Sequence, residues 1–440
     1  MVFGIEKENY EVFLINKFMS IRITLTRTKI GEWISYLPMV GLLALLGAMP
    51  FHYGEAQRIA LYWIAATYPL DYVVNKRWRG WQWTQAKWTY VAFIAFFCLI
   101  PIWQLFDPIC TSLYQFTIER YMPFLVVGIC GLAGMTDKLR IEYAAWVMLG
   151  VSAGIVAYLL YRSGLPDFAH FETWAKQFNQ LRAMEVNTHM TINLYFNLSI
   201  VLGLYTILRS KYTWWVKVLT GVPMLPILFA FSFTEGRTGV LTFLGIVMLT
   251  LMYYMFRKRR WWLSICIIVF ASGAALFLLQ RERFQVAVTE VNPRVYIWNV
   301  AGEEIQAHPL WGQGVCSARE DFVKRGLASE DFQRHYSNSL RCELNRLYGD
   351  ANMRVMHPHN AVLETWTQFG IIGVLLLLAC WILPLIMRLG QEQLYVDLCI
   401  FVFFMQAMFE SLGNNLPPMF LCLMVILIDY YHQYKIQKDS

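Results

Sequence analysis

Residues 357–388 read HPHNAVLETWTQFGIIGVLLLLACWILPLIMR. A polar, histidine-rich turn runs straight into an apolar stretch that opens at Ala361 and closes before Arg388. At about 1.5 Å of rise per residue, such a stretch is long enough for one helix to cross roughly 30 Å of hydrocarbon. The same kind of run recurs at 33–51, 56–75, 86–105, 121–136, 141–162, 190–208, 213–232, 238–256, 261–279, 394–412 and 416–433. With 360–388 this predicts about twelve spans. Composition agrees, because 57% hydrophobic and 15% charged residues leave more apolar surface than soluble cores can hide. Alternation over ten-residue blocks is absent, which excludes an outer-membrane barrel. The expected fold class is therefore an all-α integral membrane protein. The first thirty residues are polar and mixed in charge, so no cleavable leader is expected.

Loop charges orient these spans, since short loops rich in Lys and Arg stay cytoplasmic. One alternating set holds the N-terminal segment with Lys7, Lys17, Arg22, Arg27 and Lys29, the 76–87 loop, Lys138 with Arg140, Arg209 with Lys211, the run 257–260, Arg388, and the tail with Lys435 and Lys438. In the other set, 52–55 and 413–415 carry no Lys or Arg, and 106–120 has only Arg120. Both termini are thus expected inside. One long segment, 280–359, falls on the outer side with ten basic and ten acidic residues. The expected organisation is a transmembrane bundle over 1–279, a large and partly helical outer loop over 280–359, C-terminal spans over 360–433 and an inner tail over 434–440.

The net charge of +7 sits in the inner turns, where insertion topology and anionic lipid account for it, and no basic-aromatic module points to nucleic acid. Trp and Tyr are read as interfacial anchors. Six of nine cysteines fall inside spans; Cys110, Cys316 and Cys342 lie outside, and Cys316 with Cys342 is a candidate disulfide if that side is oxidising.

Three places carry polar groups suited to chemistry. Asn292 and Pro293 signal a helix start, followed by an apolar stripe of Val295, Trp298, Ala301 and Ile305. Arg294 in that first turn opposes the helix dipole, so it is either a solvated interfacial cation or an anion ligand acting with free backbone N–H groups. Arg237 lies in the turn Phe233-Thr234-Glu235-Gly236-Arg237 between two spans, where a charge is costly unless it is paired, snorkels or functions. At the third place, His359 or Asn360 opens a span at the outer boundary. A neutral imidazole there suits a general base, while His357 with His359 has no third ligand at metal-binding spacing. Arg182, Arg341, Arg346 and Arg354 are further cations on the outer side.

From His359 the chain reads His-Asn, nine residues, then Gly370-Ile-Ile-Gly373, which resembles the H-N-x9-G-x-x-G signature of the O-antigen ligase and polymerase superfamily. Arg237 followed by Thr-Gly, and Arg294-x3-Trp298 followed by His308-Pro309-Leu-Trp-Gly312-x-Gly314, extend the resemblance over roughly the last 210 residues. The resemblance implies a GT-C-like glycosyltransferase of the bacterial inner membrane with a periplasmic active site. It would carry out metal-independent, inverting transfer of a glycan from undecaprenyl pyrophosphate to a sugar of the lipid A-core, with no cofactor. Arg237 and Arg294 would hold the donor pyrophosphate, His359 would activate the acceptor hydroxyl, and Asn360 and His357 would orient the site. Gly370 and Gly373, one turn apart, would let the helix approach a neighbour closely. An O-antigen polymerase or a protein O-oligosaccharyltransferase uses the same donor class, and the single large loop favours the ligase. A lipid or glycan transporter would need mid-span charges and an internal repeat, which the chain does not display.

Overall fold

The computed structural model of the chain describes residues 29–51, 55–81, 83, 87–107, 111–134, 141–164, 166, 169–208, 212–231, 233–234, 237–257, 259, 293–330, 358–386 and 393–409. Among them the regular elements are helical and no strand occurs. In chain order they are α1 (Lys29–Ala48), α2 (Glu55–Val74), α3 (Lys87–Gln104), α4 (Thr111–Ala133), α5 (Ile141–Ser163), α6 (Phe171–Glu185), α7 (His189–Leu208), α8 (Trp214–Phe231), α9 (Arg237–Arg257), α10 (Pro293–Ala307), α11 (Val315–Ala328), α12 (Ala361–Ile386) and α13 (Gln393–Ala407).

Seven helices among the described residues are long and apolar enough to cross a membrane: α1, α3, α5, α7, α8, α9 and α12. A shorter apolar helix, Leu394–Ala407, lies within α13. Among the described residues the fold is all-helical and consistent with an integral membrane protein. The expected spans at 56–75 and 121–136 form α2 and α4, which are not among the seven. Glu55, Arg58 and Asp71 lie within α2, and α4 begins ten residues before the expected start with the polar stretch Thr111–Arg120. The runs at 261–279 and 416–433 lie outside the described residues.

The centre of the bundle is α7, which packs on α5, α8, α9 and α13. A helix surrounded on all sides has no solvent or lipid face, so polar side chains on it must find partners within the protein. Ser199 meets Ser152 of α5 at 2.8 Å, Tyr195 donates to the Leu46 carbonyl of α1 at 3.0 Å, and Asn197 donates to the Gly239 carbonyl of α9 at 3.0 Å. A second layer is the α3–α4 hairpin, whose α3 packs along α12. Asp71 is fully buried and accepts from Arg77 at 2.6 Å and Asn75 at 2.6 Å, fixing the turn after α2.

The connection between α5 and α7 contains a helix that periodicity in long apolar runs does not reveal. In α6, Trp174, Phe178, Asn179 and Arg182 face inward at helical spacing while the rest is polar. The segment before α12 likewise contains two helices, α10 and α11, which pack on each other and on α12.

Candidate functional site

The turn that carries His359 is fixed on both sides. Pro358 is buried and its carbonyl accepts a hydrogen bond from Trp298 Nε1 of α10 at 3.1 Å. His359 is half-buried and takes a left-handed backbone conformation, φ 50°, which side chains bearing a Cβ adopt at a cost. Asn360 then caps α12. Its Oδ1 accepts from the backbone N–H of Val362 at 2.9 Å and of Leu363 at 3.0 Å, and its Nδ2 donates to the Met408 carbonyl at 3.1 Å. Both ends of the carboxamide are therefore engaged with backbone, and Asn360 acts on its neighbour by holding the chain. His357 lies outside the described residues.

Ten residues past Asn360, α12 is interrupted. Gly370 has φ 64° and ψ −163°, outside the helical region. An uninterrupted helix would pair the Ile371 N–H with the Thr367 carbonyl. Here Ile371 N–H donates instead to Pro309 at 3.1 Å, and the carbonyls of Thr367 and Gln368 accept from Gln313 at 3.0 Å and Gly314 at 2.8 Å. The turn between α10 and α11, His308 to Gly314, is thus stitched into the break. Trp366 Nε1 adds a bond to the Pro309 carbonyl at 3.0 Å. The two glycines expected to favour helix approach have other partners: Gly370 faces the backbone of Leu310 and Trp311, and the nearest neighbours of Gly373 are Phe369 and Thr365 of its own helix.

Arg294 is the second residue of α10, one helical turn before Trp298, so the hydrogen bond to Pro358 brings its helix to the His359 turn. Arg237 is the first residue of α9. Its approach turn is held by α6, where Asn179 donates to the Phe233 carbonyl at 3.0 Å and the Phe233 ring packs on Trp174 and Phe178 at centroid distances of 4.9 and 4.8 Å. Arg182, read from sequence as an outer cation, is 2% exposed and donates to the Asn187 carbonyl at 2.9 Å, so it braces the α6–α7 connection. Two residues into α9, a Cβ on Gly239 would lie 2.5 Å from Asn193 Cγ of α7. From the start of α7, contact runs back to Asn360, because Gln406 donates to the Met190 carbonyl and Met408 accepts from Asn360. The N-termini of α7, α9 and α12 and the C-terminus of α13 therefore share one end of the bundle.

Beneath the Pro358 turn lies a small cavity lined in part by Glu304, Arg319, Glu364 and Gln368. Arg319 approaches Glu364 at 3.9 Å. Glu304 is 1% exposed, and burial, reinforced by Asp321 and partly offset by Arg325, pushes its carboxyl up to about 8. Burial also works against the Asp321 charge, but hydrogen bonds from Arg325 at 2.7 Å and Gln313 at 3.0 Å hold that carboxyl below its ordinary value. Sequence reading missed this cluster, because Glu303 and Glu304 look alike until the helix phase is known. At the N-terminus of α11, Asp107 accepts from the N–H groups of Cys316 at 2.9 Å and Ser317 at 3.2 Å, tying the end of α3 to the segment of α10 and α11. Cys316 is disulfide-bonded. The described cysteines Cys98, Cys130, Cys380 and Cys399 form no disulfide, so its partner, like the candidate Cys342, lies outside the described residues. Among the described residues no three His, Cys, Asp or Glu side chains converge as metal ligands would.

A comparison with curated proteins returned no match. Residues 222–378 match the family model described as O-antigen ligase, and this stretch contains Arg237, Arg294, Trp298, the glycine-rich turn, His359, Asn360 and the Gly370 break. On that match, the chain carries a domain of the O-antigen ligase family over residues 222–378.

Proposed function

We propose that the chain is an O-antigen ligase of the bacterial inner membrane, transferring a glycan from undecaprenyl pyrophosphate to a sugar hydroxyl of the lipid A-core at the periplasmic face. The reaction is inverting and metal-independent. As the acceptor oxygen attacks the anomeric carbon, the bond from that carbon to the pyrophosphate oxygen breaks and its electron pair leaves with the lipid pyrophosphate. The leaving group needs charge stabilisation more than a proton, which is the work of Arg237 and Arg294. The acceptor is an ordinary hydroxyl, and His359 takes its proton. Asn360 fixes the backbone beside His359, with His357 assisting.

The observation that carries this reading is the Trp298–Pro358 hydrogen bond, which joins the helix that carries Arg294 in its first turn to the turn of His359. The disulfide at Cys316 supports an oxidising compartment for the outer segment. The test is glycan transfer in detergent with purified donor and acceptor. His359→Ala lowers turnover by about 10²–10⁴-fold with donor binding kept, while Arg237→Ala and Arg294→Ala weaken donor affinity. Near-normal transfer by all three variants overturns the assignment. In a deletion strain, polymerised lipid-linked glycan accumulates if the chain is the ligase, whereas single repeat units accumulate if it is a polymerase.

A further inference from the structure

Four large apolar side chains stand out of the protein at one level. Leu105 and Phe106, just past α3, are 78% and 72% exposed, and Leu310 and Trp311, in the turn stitched to α12, are each 61% exposed. They form one surface, because the Trp103 ring lies 5.6 Å from Phe106 and 6.3 Å from Trp311. Apolar side chains on a segment bathed in water are destabilising when clustered, so the patch needs a cover.

Two lengths fix what covers it. The 18 residues of α3 rise about 27 Å, close to the hydrocarbon thickness, so its last turn at Trp103 and Gln104 lies at the bilayer boundary. Along α12, Ala361–Phe369 contains buried Glu364, Thr365, Thr367 and Gln368, while Ile371–Ile386 contains no charged residue and rises about 24 Å. The second boundary therefore falls at the Gly370 break. The two boundaries coincide in space: Trp103 meets Trp311, and Trp311 backbone meets Gly370.

We propose that Leu105, Phe106, Leu310 and Trp311 insert into the boundary of the surrounding bilayer and seat the outer segment on it. The partner is bulk membrane lipid, a fit for Trp, Phe and Leu at that depth. The membrane-embedded part of α12 is then Ile371–Ile386, and its first nine residues raise the His359 turn roughly 14 Å above the hydrocarbon. This inference does not rest on the transferase reading, and its test measures no catalysis.

The test uses the full chain in lipid nanodiscs with an environment-sensitive fluorescent amino acid at position 311, and separately at 106. Exposed Glu303 of α10 gives the control position. Acyl chains brominated near the headgroup should quench positions 311 and 106 by about twofold or more, with little effect of aqueous iodide, and position 303 should behave the opposite way. Iodide quenching at 311 and 106 overturns the proposal by placing the patch in water. Quenching by neither agent overturns it by showing a second copy over the patch. Bromine quenching relieved by added polyprenyl diphosphate assigns the surface to the donor chain and overturns bulk lipid as the partner.

Discussion

Gly312 and Gly370 stand backbone to backbone: a Cβ built on Gly312 would lie 2.6 Å from the Gly370 nitrogen, and one on Gly370 would run into the Leu310 carbonyl. Both residues have positive φ, 67° and 64°. Only a chain without side chains at these two points can place the 308–314 turn inside the break of α12. The close contact positions the turn of the proposed base indirectly, because His359 and Asn360 lead directly into the same α12 segment.

Replacing either glycine by alanine should therefore undock the outer segment. Gly370→Ala is expected to lower stability by about 3 kcal/mol, from a left-handed backbone and an unavoidable clash. Gly302→Ala is the matched control, since it sits inside α10 with nothing within 4 Å of a new Cβ. It should be neutral or stabilising by about 0.5–1 kcal/mol. Thermal unfolding in detergent checks both, and equal effects of the two changes would contradict the docking.

His359 combines a special backbone with the proposed base, and two substitutions separate these roles. Glycine accepts φ 50° freely whereas alanine does not, so His359→Gly should unfold at a higher temperature than His359→Ala, by about 1 kcal/mol in stability. Both should lose turnover to the same extent if the imidazole does the chemistry. Normal turnover in His359→Gly would show that only the backbone matters.

Asn360 uses its two amide ends differently, which ranks its variants. Asn360→Asp keeps the acceptor for Val362 and Leu363 but loses the donor to Met408; Asn360→Ala loses both. Stability should fall in the order Asn, Asp, Ala, with the cap alone worth about 1 kcal/mol. A variant ladder with Asp at or below Ala would mean that the Met408 contact, and not the cap, holds the turn.

Much of this arrangement was legible in residue order. Long apolar runs give helices because a membrane-crossing segment must satisfy its own backbone, and the starts of α7, α9 and α12 fall within one residue of the expected positions. The helix start at Pro293 was legible too, from its proline and preceding cap. What sequence did not carry is long-range pairing. The break at Gly370 becomes visible only when the Gln313 and Gly314 N–H groups arrive to take the Thr367 and Gln368 carbonyls. Arg182 looks like any surface cation until α6 is known to bury that face. The same holds for Glu304, whose burial depends on how α10 and α11 rotate against α12.

Glu304 makes the stability of the α10–α11 segment fall as pH rises from acid to neutral. Its folded value of about 8 lies above the ordinary 4.5, so the folded protein binds this proton more tightly than the unfolded chain. The sign follows directly: the contribution is fully present below pH 4.5, declines as pH rises from there to about 8, and is flat beyond. Asp321, Arg325, Arg319 and Glu364 surround the group, and Arg325 offsets only part of the penalty from burial and Asp321. Glu304→Gln keeps the shape and removes the titration. Relative to wild type, it should gain stability between pH 5 and pH 8, on the order of a few kcal/mol. Thermal unfolding of both proteins at these two pH values checks this. Parallel pH profiles would mean that the carboxylate reaches water or a compensating cation in the folded state, and the buried-acid account of the α10–α11–α12 junction would fall with it.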